Sequence, residues 1–202
     1  VDRLQQTGGL WDLMKRDPYF GKHADGCLGA EAGGTREQKR RRPGLNIEGI
    51  AAKGGRLYLG FRGPTRKGVV PVYSVVASAL FDGTAARPQL SMLEVGSGLG
   101  IRDMVAGKSA LLLLLGPDDH EPVGESKWRV VEWKDGNANA SPIRPKVLAE
   151  LDMRDIDFGR RCFKELKPEA IGIVEETADR YRIVVLSDGV CDGGALIFNV
   201  PR

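Results

Sequence analysis

Three acids, Glu48, Asp103 and Glu169, each open a copy of one phrase that the chain repeats. The copies read NIEGIAAKGGRLYLGFRGP from Asn46, GIRDMVAGKSALLLLLGP from Gly100 and KPEAIGIVEETADRYRIVVLSDG from Lys167. After the acid comes an apolar stretch, a turn, a second apolar run and a polar, glycine-bearing close: RGP, GP or SDG. Residues at one point of successive repeats converge when the repeats pack around an axis, so the three carboxylates are expected to face one another. Carboxylates brought that close repel unless a cation, a proton or an arginine joins them. The cations at hand are Arg62, Arg102 and Lys167. Three chemistries stay open. Acids and arginines can pair structurally and hold repeats together. Glu48, Asp103 and Glu169, with Asp188 of the SDG turn, can hold a divalent cation such as calcium on carboxylate and carbonyl oxygens. Arg62, Arg102 and Lys167 can instead grip an anionic small molecule while one of the acids serves as general acid or base.

Other constellations are weaker. Asp188 and Gly189 are ordinary turn residues, with Asp192 close behind. His120 stands among Asp118, Asp119 and Glu121 in GPDDHEP, which reads as a solvated loop. His23 and Cys27 lack the further ligands a zinc site needs. GSGLG at Gly96–Gly100 has neither the lysine nor the helix of a phosphate loop, and no G-x-S-x-G elbow of a serine hydrolase occurs.

The elements that position these residues read as strands. RLYLGFR alternates Leu57, Leu59 and Phe61 against Tyr58 and Gly60, the period of two of a strand. VVPVYSVVASALF reads as a strand running into a turn, and QLSMLEV as the next strand. ALLLLL is a continuous apolar run, the signature of a strand buried on both faces. In KWRVVEWK, Trp128, Val130 and Glu132 fall on one face and Arg129, Val131 and Trp133 on the other. KVLAELDMRDI has some helical character, but strand plus loop fits its setting, and GGALIFNVP closes as a last strand. Upstream, LWDLMKRD fits a short helix or a strand end. Gly21–Gly44 is a long glycine- and charge-rich loop containing KRRRP.

Successive acids lie roughly 55 and 66 residues apart, which suits propeller blades of four strands with long loops. The expected fold is all-β: a β-propeller or partial propeller with about three recognisable four-stranded blades over 46–202, preceded by a poorly defined segment over 1–45. A closed propeller has about 4 to 8 blades, so this one reads as incomplete, its missing blades expected before Val1. A shorter closed barrel is the alternative. The chain starts at Val1 without a charged-then-apolar leader, which reads as a removed leader or a piece of a longer protein.

Composition excludes some classes. The net charge of +3 and the single dense basic run do not make a nucleic-acid footprint. ALLLLLG is far short of the roughly 20 apolar residues that cross a bilayer. Cys27, Cys162 and Cys191 are too widely spaced for a zinc pattern or a disulfide framework, which slightly favours the cytoplasm, with a Cys162–Cys191 bridge left open. Unpaired sheet edges in a partial propeller would promote self-association.

As a set and in this order, NIEGIA, LYLGFRGP, GIRDMV, LLLLLGP, WRVVEW, KPEAIGIV and VVLSDG resemble the bacterial family catalogued as domain of unknown function thirty-six-sixteen. The resemblance runs from about Asn46 to the C-terminus and looks like the C-terminal half of that family's domain. It implies a β-propeller and no established activity. The E-G-[IL]-A phrase at Glu48–Ala51 is more distantly similar to propellers of the phytase-like esterase group, which would place Glu48 in the channel. Two functions follow as expectations: a metal-assisted hydrolase of phosphate or other esters acting at the channel, or a non-catalytic propeller that binds a protein or small ligand.

Overall fold

A computed structural model describes residues 7–24, 44–119, 128–134, 142–152, 166–190 and 194–202. His120 and the three cysteines lie outside these residues, so the loop histidine and the Cys162–Cys191 pairing have no structural account. The described fold is all-β apart from three short helical pieces. They are α1 (Gly9–Arg16), a 3-10 turn (Phe20–Lys22) and α2 (Ala79–Asp82). No described helix is long and apolar enough to cross a membrane.

Eleven described strands form three separate antiparallel sheets. The first sheet runs β1 (Asn46–Lys53), β2 (Arg56–Gly63), β3 (Val69–Val76) and β4 (Gln89–Glu94) in chain order. The second repeats that order with β5 (Leu99–Ala106), β6 (Leu111–Pro117), β7 (Trp128–Trp133) and β8 (Lys146–Leu151). The third holds β9 (Lys167–Glu176), β10 (Arg180–Asp188) and β11 (Leu196–Pro201). Each repeated phrase is therefore the first hairpin of a sheet. Its two strands are joined by a tight turn, such as Gly54 and Gly55, both at positive φ where a side chain would strain the backbone. This is a partial propeller-like arrangement: linear meanders, laid face to face, with β5 lying between β1 and β9. Each sheet is open, so the closed-barrel alternative does not form among the described residues.

The five leucines of β6 show why the sheets stack. All are fully buried, and the pleat sends them alternately to opposite sides. Leu111, Leu113 and Leu115 join Val131 and Trp133 against Tyr58, Val70, Val72 and Leu93 of the first sheet. Leu112 and Leu114 join Trp128 and Val130 against Tyr181, Ile183, Val185 and Val200 of the third. Burying those five side chains contributes on the order of 10 kcal/mol before chain entropy is charged against it. Close approach needs missing side chains as well as large ones. A Cβ on Gly60 would lie 2.5 Å from the sulfur of Met104, and one on Gly116 would lie 2.2 Å from the Trp128 ring.

The N-terminal segment has a defined task. LWDLMKRD takes the helical option, and Met14 with Phe20 covers the outer face of the first sheet. Phe20 stacks on Phe61 at 4.7 Å between ring centroids and meets Tyr73 edge-on at 5.2 Å. KVLAEL is strand, as its setting implied.

Candidate functional site: an acid–arginine cluster on the first strands

The first strand of each sheet skips one residue of its own in the pairing near its N-terminal end, a β-bulge. In β1 the pairing steps from Ile47 to Gly49, in β5 from Ile101 to Asp103, and in β9 from Pro168 to Ala170. The residues skipped are Glu48, Arg102 and Glu169. A bulge leaves its extra residue out of the ladder and re-aims the side chain. These three are thus the equivalent positions of the three repeats, and their side chains meet.

Arg102 is the centre. Its side chain is 2% exposed. Its Nε lies 3.0 Å from Glu48 Oε2, and its Nη2 donates to Glu169 Oε1 at 2.5 Å. The Trp128 ring stands beneath the guanidinium, 5.8 Å from centroid to Cζ, a cation–π arrangement that offsets part of the lost hydration. Nε and Nη1 are both buried without a hydrogen-bond partner among the described residues, so the Nε–Glu48 contact is an ion pair. Burial pulls the Arg102 pKa down, helped by nearby Arg62 and opposed by Glu48 and Glu169, yet a guanidinium remains charged at any ordinary pH.

Around this core sits a second arginine. Arg62, at the end of β2, donates from Nη1 to Glu48 Oε1 at 3.1 Å and from Nε to the Pro117 carbonyl at 3.2 Å. The same Nε lies 3.3 Å from Asp119 Oδ1. Asn46 donates to Glu48 Oε1 at 3.3 Å and to Asp119 Oδ1 at 2.9 Å. Glu48 therefore gives one oxygen to each arginine. Glycines make the approach possible: a Cβ on Gly100 would fall 2.3 Å from the Arg62 carbonyl oxygen, and one on Gly63 would collide with the Asp119 carboxylate.

The expected site residues divide accordingly. Glu48, Glu169, Arg62 and Arg102 come together. Asp103 does not join them. It follows the bulge residue, so its side chain points the other way, and its Oδ2 accepts the Ile171 N–H at 2.8 Å, tying β5 to β9. Burial raises the Asp103 pKa, while the N–H groups of Ile171 and Met104 pull it back. Lys167 and Asp188 face each other across the start of the β9–β10 pairing, two residues before Glu169 on β9. Asp188 Oδ1 accepts its neighbour Gly189 N–H, which is turn chemistry. Asn46 and Asp119 belong to the cluster and were not singled out for it from the sequence. The sequence sets Asp119 beside His120 in a loop, although it comes just after the GP that closes the second repeat. No group of three or more His, Cys, Asp or Glu side chains converges on a point that would hold a metal ion among the described residues.

A second charged cluster lies at the other end of the sheets. Buried Glu132, placed by its alternation on the Trp128 face, accepts the Tyr181 hydroxyl at 2.8 Å and pairs with Arg202 at 3.4 Å. Arg202 also reaches Glu176 at 3.2 Å and lies over the Tyr181 ring.

No curated protein and no solved structure matches the chain. One family model does, that of the protein of unknown function family DUF3616, over residues 2–193. The match starts well before Asn46, where the sequence resemblance begins, so α1 and the residues between it and β1 belong to the shared region too. With nearly the whole chain matched, and with its repeated hairpins built as three stacked sheets, the chain belongs to the DUF3616 family.

Proposed function

We propose that this chain is a non-catalytic binding module of propeller type, and that its axial acids and arginines clamp the sheets together instead of converting a substrate. One observation carries this reading: the charged groups of the cluster are committed to one another. Glu48 is shared between Arg62 and Arg102, Glu169 is held by Arg102, and Asp103 is spent on the Ile171 backbone. A metal-assisted hydrolase needs carboxylate oxygens that converge on a cation. An anion clamp needs arginines with donors to spare at an accessible surface, and the spare donors of Arg102, Nε and Nη1, are buried. Acids also outnumber arginines here, with Glu48, Asp119 and Glu169 against Arg62 and Arg102, which does not favour an anionic ligand.

The hydrolytic reading keeps one point of support. The Glu169 side chain is 42% exposed, and Lys167 and Asp188 stand at the same strand end, so an approaching group meets ionisable side chains there. Calorimetric titration of calcium and manganese into the protein and into Glu48→Gln decides between the two. The clamp reading expects no saturable heat that depends on Glu48, and a marked loss of stability in the variant. Metal binding that disappears in Glu48→Gln, accompanied by turnover of phosphoester substrates, would overturn it in favour of the hydrolase.

A further inference from the structure

The outermost strand of the first sheet is β4, and a sheet edge carries backbone groups that need partners. Just past β4 the Val95 N–H donates back to Gly68, so the odd-numbered residues of the strand bond toward β3. The even-numbered ones, Leu90, Met92 and Glu94, therefore turn their N–H and C=O groups outward.

A piece of the second sheet's chain meets them there. Residues 142–145, between β7 and β8, cross to the first sheet. The Ile143 N–H donates to the Met92 carbonyl, and the Glu94 N–H donates to the Ile143 carbonyl, both at 2.8 Å. The result is a parallel bridge one residue long. It cannot lengthen toward β8, because Pro145 lacks the N–H that would make the next bond. Half-buried Ile143 packs on the core that holds Leu93 and Leu111. Arg144 Nη2 pairs with Glu94 Oε1 at 2.7 Å, and the two side chains are 76% and 43% exposed. Two backbone bonds, one half-buried side chain and a solvated ion pair thus hold this strap, against six paired residues between β3 and β4.

The strand beneath it, QLSMLE, is able to pair with itself. It has no proline and no lysine, the residues that blunt an edge. In an antiparallel β4–β4 pair centred on Met92, Met92 meets its own copy and Leu90 meets Glu94. The strand's one charge then never faces its copy, which would be the unfavourable arrangement. Such a contact is isologous and ends at two copies. We infer that residues 142–145 are a strap that holds the β4 edge shut, and that lifting the strap lets the β4 edges of two copies pair. The inference goes beyond the axial clamp and does not depend on it.

Sedimentation velocity over a range of protein concentrations tests it. Ile143→Asp withdraws the apolar anchor of the strap. Arg144→Glu sets an acid against Glu94 and, at an exposed position, leaves the core and the fold intact. Both are expected to self-associate more tightly than the wild type, Ile143→Asp by roughly tenfold or more and Arg144→Glu by a few-fold. Adding Met92→Pro to either should return it to the monomer. The Met92 N–H points outward, so proline there removes no bond to β3 but denies the second copy its central donor. Arg144→Glu with unchanged self-association up to submillimolar concentration would overturn the inference. So would a wild type that associates as tightly as the strap variants, or association in them that survives Met92→Pro.

Discussion

Replacing Glu48 by Gln removes the one charge that both arginines of the cluster share. Glu48 offers Oε1 to Arg62 and Oε2 to Arg102. The amide keeps one acceptor and turns an NH2 toward the other guanidinium. Arg62 retains Asp119 and the Pro117 carbonyl. Arg102 does worse: at 2% exposure it keeps only Glu169, which is itself 42% exposed and screened by solvent. Breaking a buried ion pair from one side costs about 3–5 kcal/mol. Glu48 is 24% exposed, so the lower end, about 3 kcal/mol, is expected. The partner substitution separates charge burial from packing. Arg102→Met keeps a stem over Trp128 and removes the buried guanidinium, while Glu48 still holds Arg62 and Asn46. Its cost should stay below about 1.5 kcal/mol. The double variant should be more stable than Glu48→Gln alone, because the stranded cation is gone. Urea unfolding followed by tryptophan fluorescence reads this directly: with a slope of about 1–3 kcal/mol/M, a loss of about 3 kcal/mol moves the midpoint by 1 M or more. If Glu48→Gln costs less than about 0.5 kcal/mol, or the double variant is worse than the sum of the singles, the clamp argument fails.

Two further outcomes follow from single contacts. Asp103 has a carboxyl raised by burial, so the folded protein holds its proton to higher pH than the unfolded chain; its contribution to stability is greatest at low pH and falls as pH rises from the unfolded to the folded value. Asp103→Asn should therefore match the wild type in acid and gain on it toward neutrality, and parallel stability curves across that pH window would refute the assignment. Gly100→Ala forces a Cβ against the Arg62 carbonyl, where the backbone of β2 has to move, so a cost of about 1–3 kcal/mol in chemical denaturation is expected; a neutral substitution would show that β5 and β2 are not so closely set.

The parts of the fold that were legible in the sequence are those that burial alone determines. Five consecutive leucines can form a strand only where both faces are covered, and both are. The alternation of β2 put Leu59 and Phe61 opposite Tyr58, and the two faces do enter different clusters. Matching repeats by charge was less informative. It set Asp103 against Glu48 and Glu169, one residue away from the position that the pairing register assigns. Matching Ile47 to Ile101 aligns Glu48 with Arg102, but a bulge is a property of the ladder between two strands, and one strand's composition does not announce it. Asp119 was out of reach for a similar reason: it comes from the loop after β6, and only the stacking of one sheet on the next brings it to Arg62.

That one-residue difference changes the physics of the axis. Three acids at equivalent bulges would meet at close range in a partly dry space, and would bind a cation or force a proton onto one of them. An acid, an arginine and an acid neutralise one another in place, and each link joins neighbouring sheets: Glu48 of the first to Arg102 of the second, Arg102 to Glu169 of the third. Apolar faces hold the sheets together without fixing their rotation, since leucine packs on valine in many registers. A two-sided guanidinium does fix it, because a shift of one residue at any bulge turns its side chain to the opposite face and strands a buried charge. Propeller-like stacking therefore needs a directional contact near its axis, and here the alternating charges supply it. The same requirement argues against a freely available reactive group at that point: a carboxylate that left its arginine to act on a substrate would loosen the joint between two sheets.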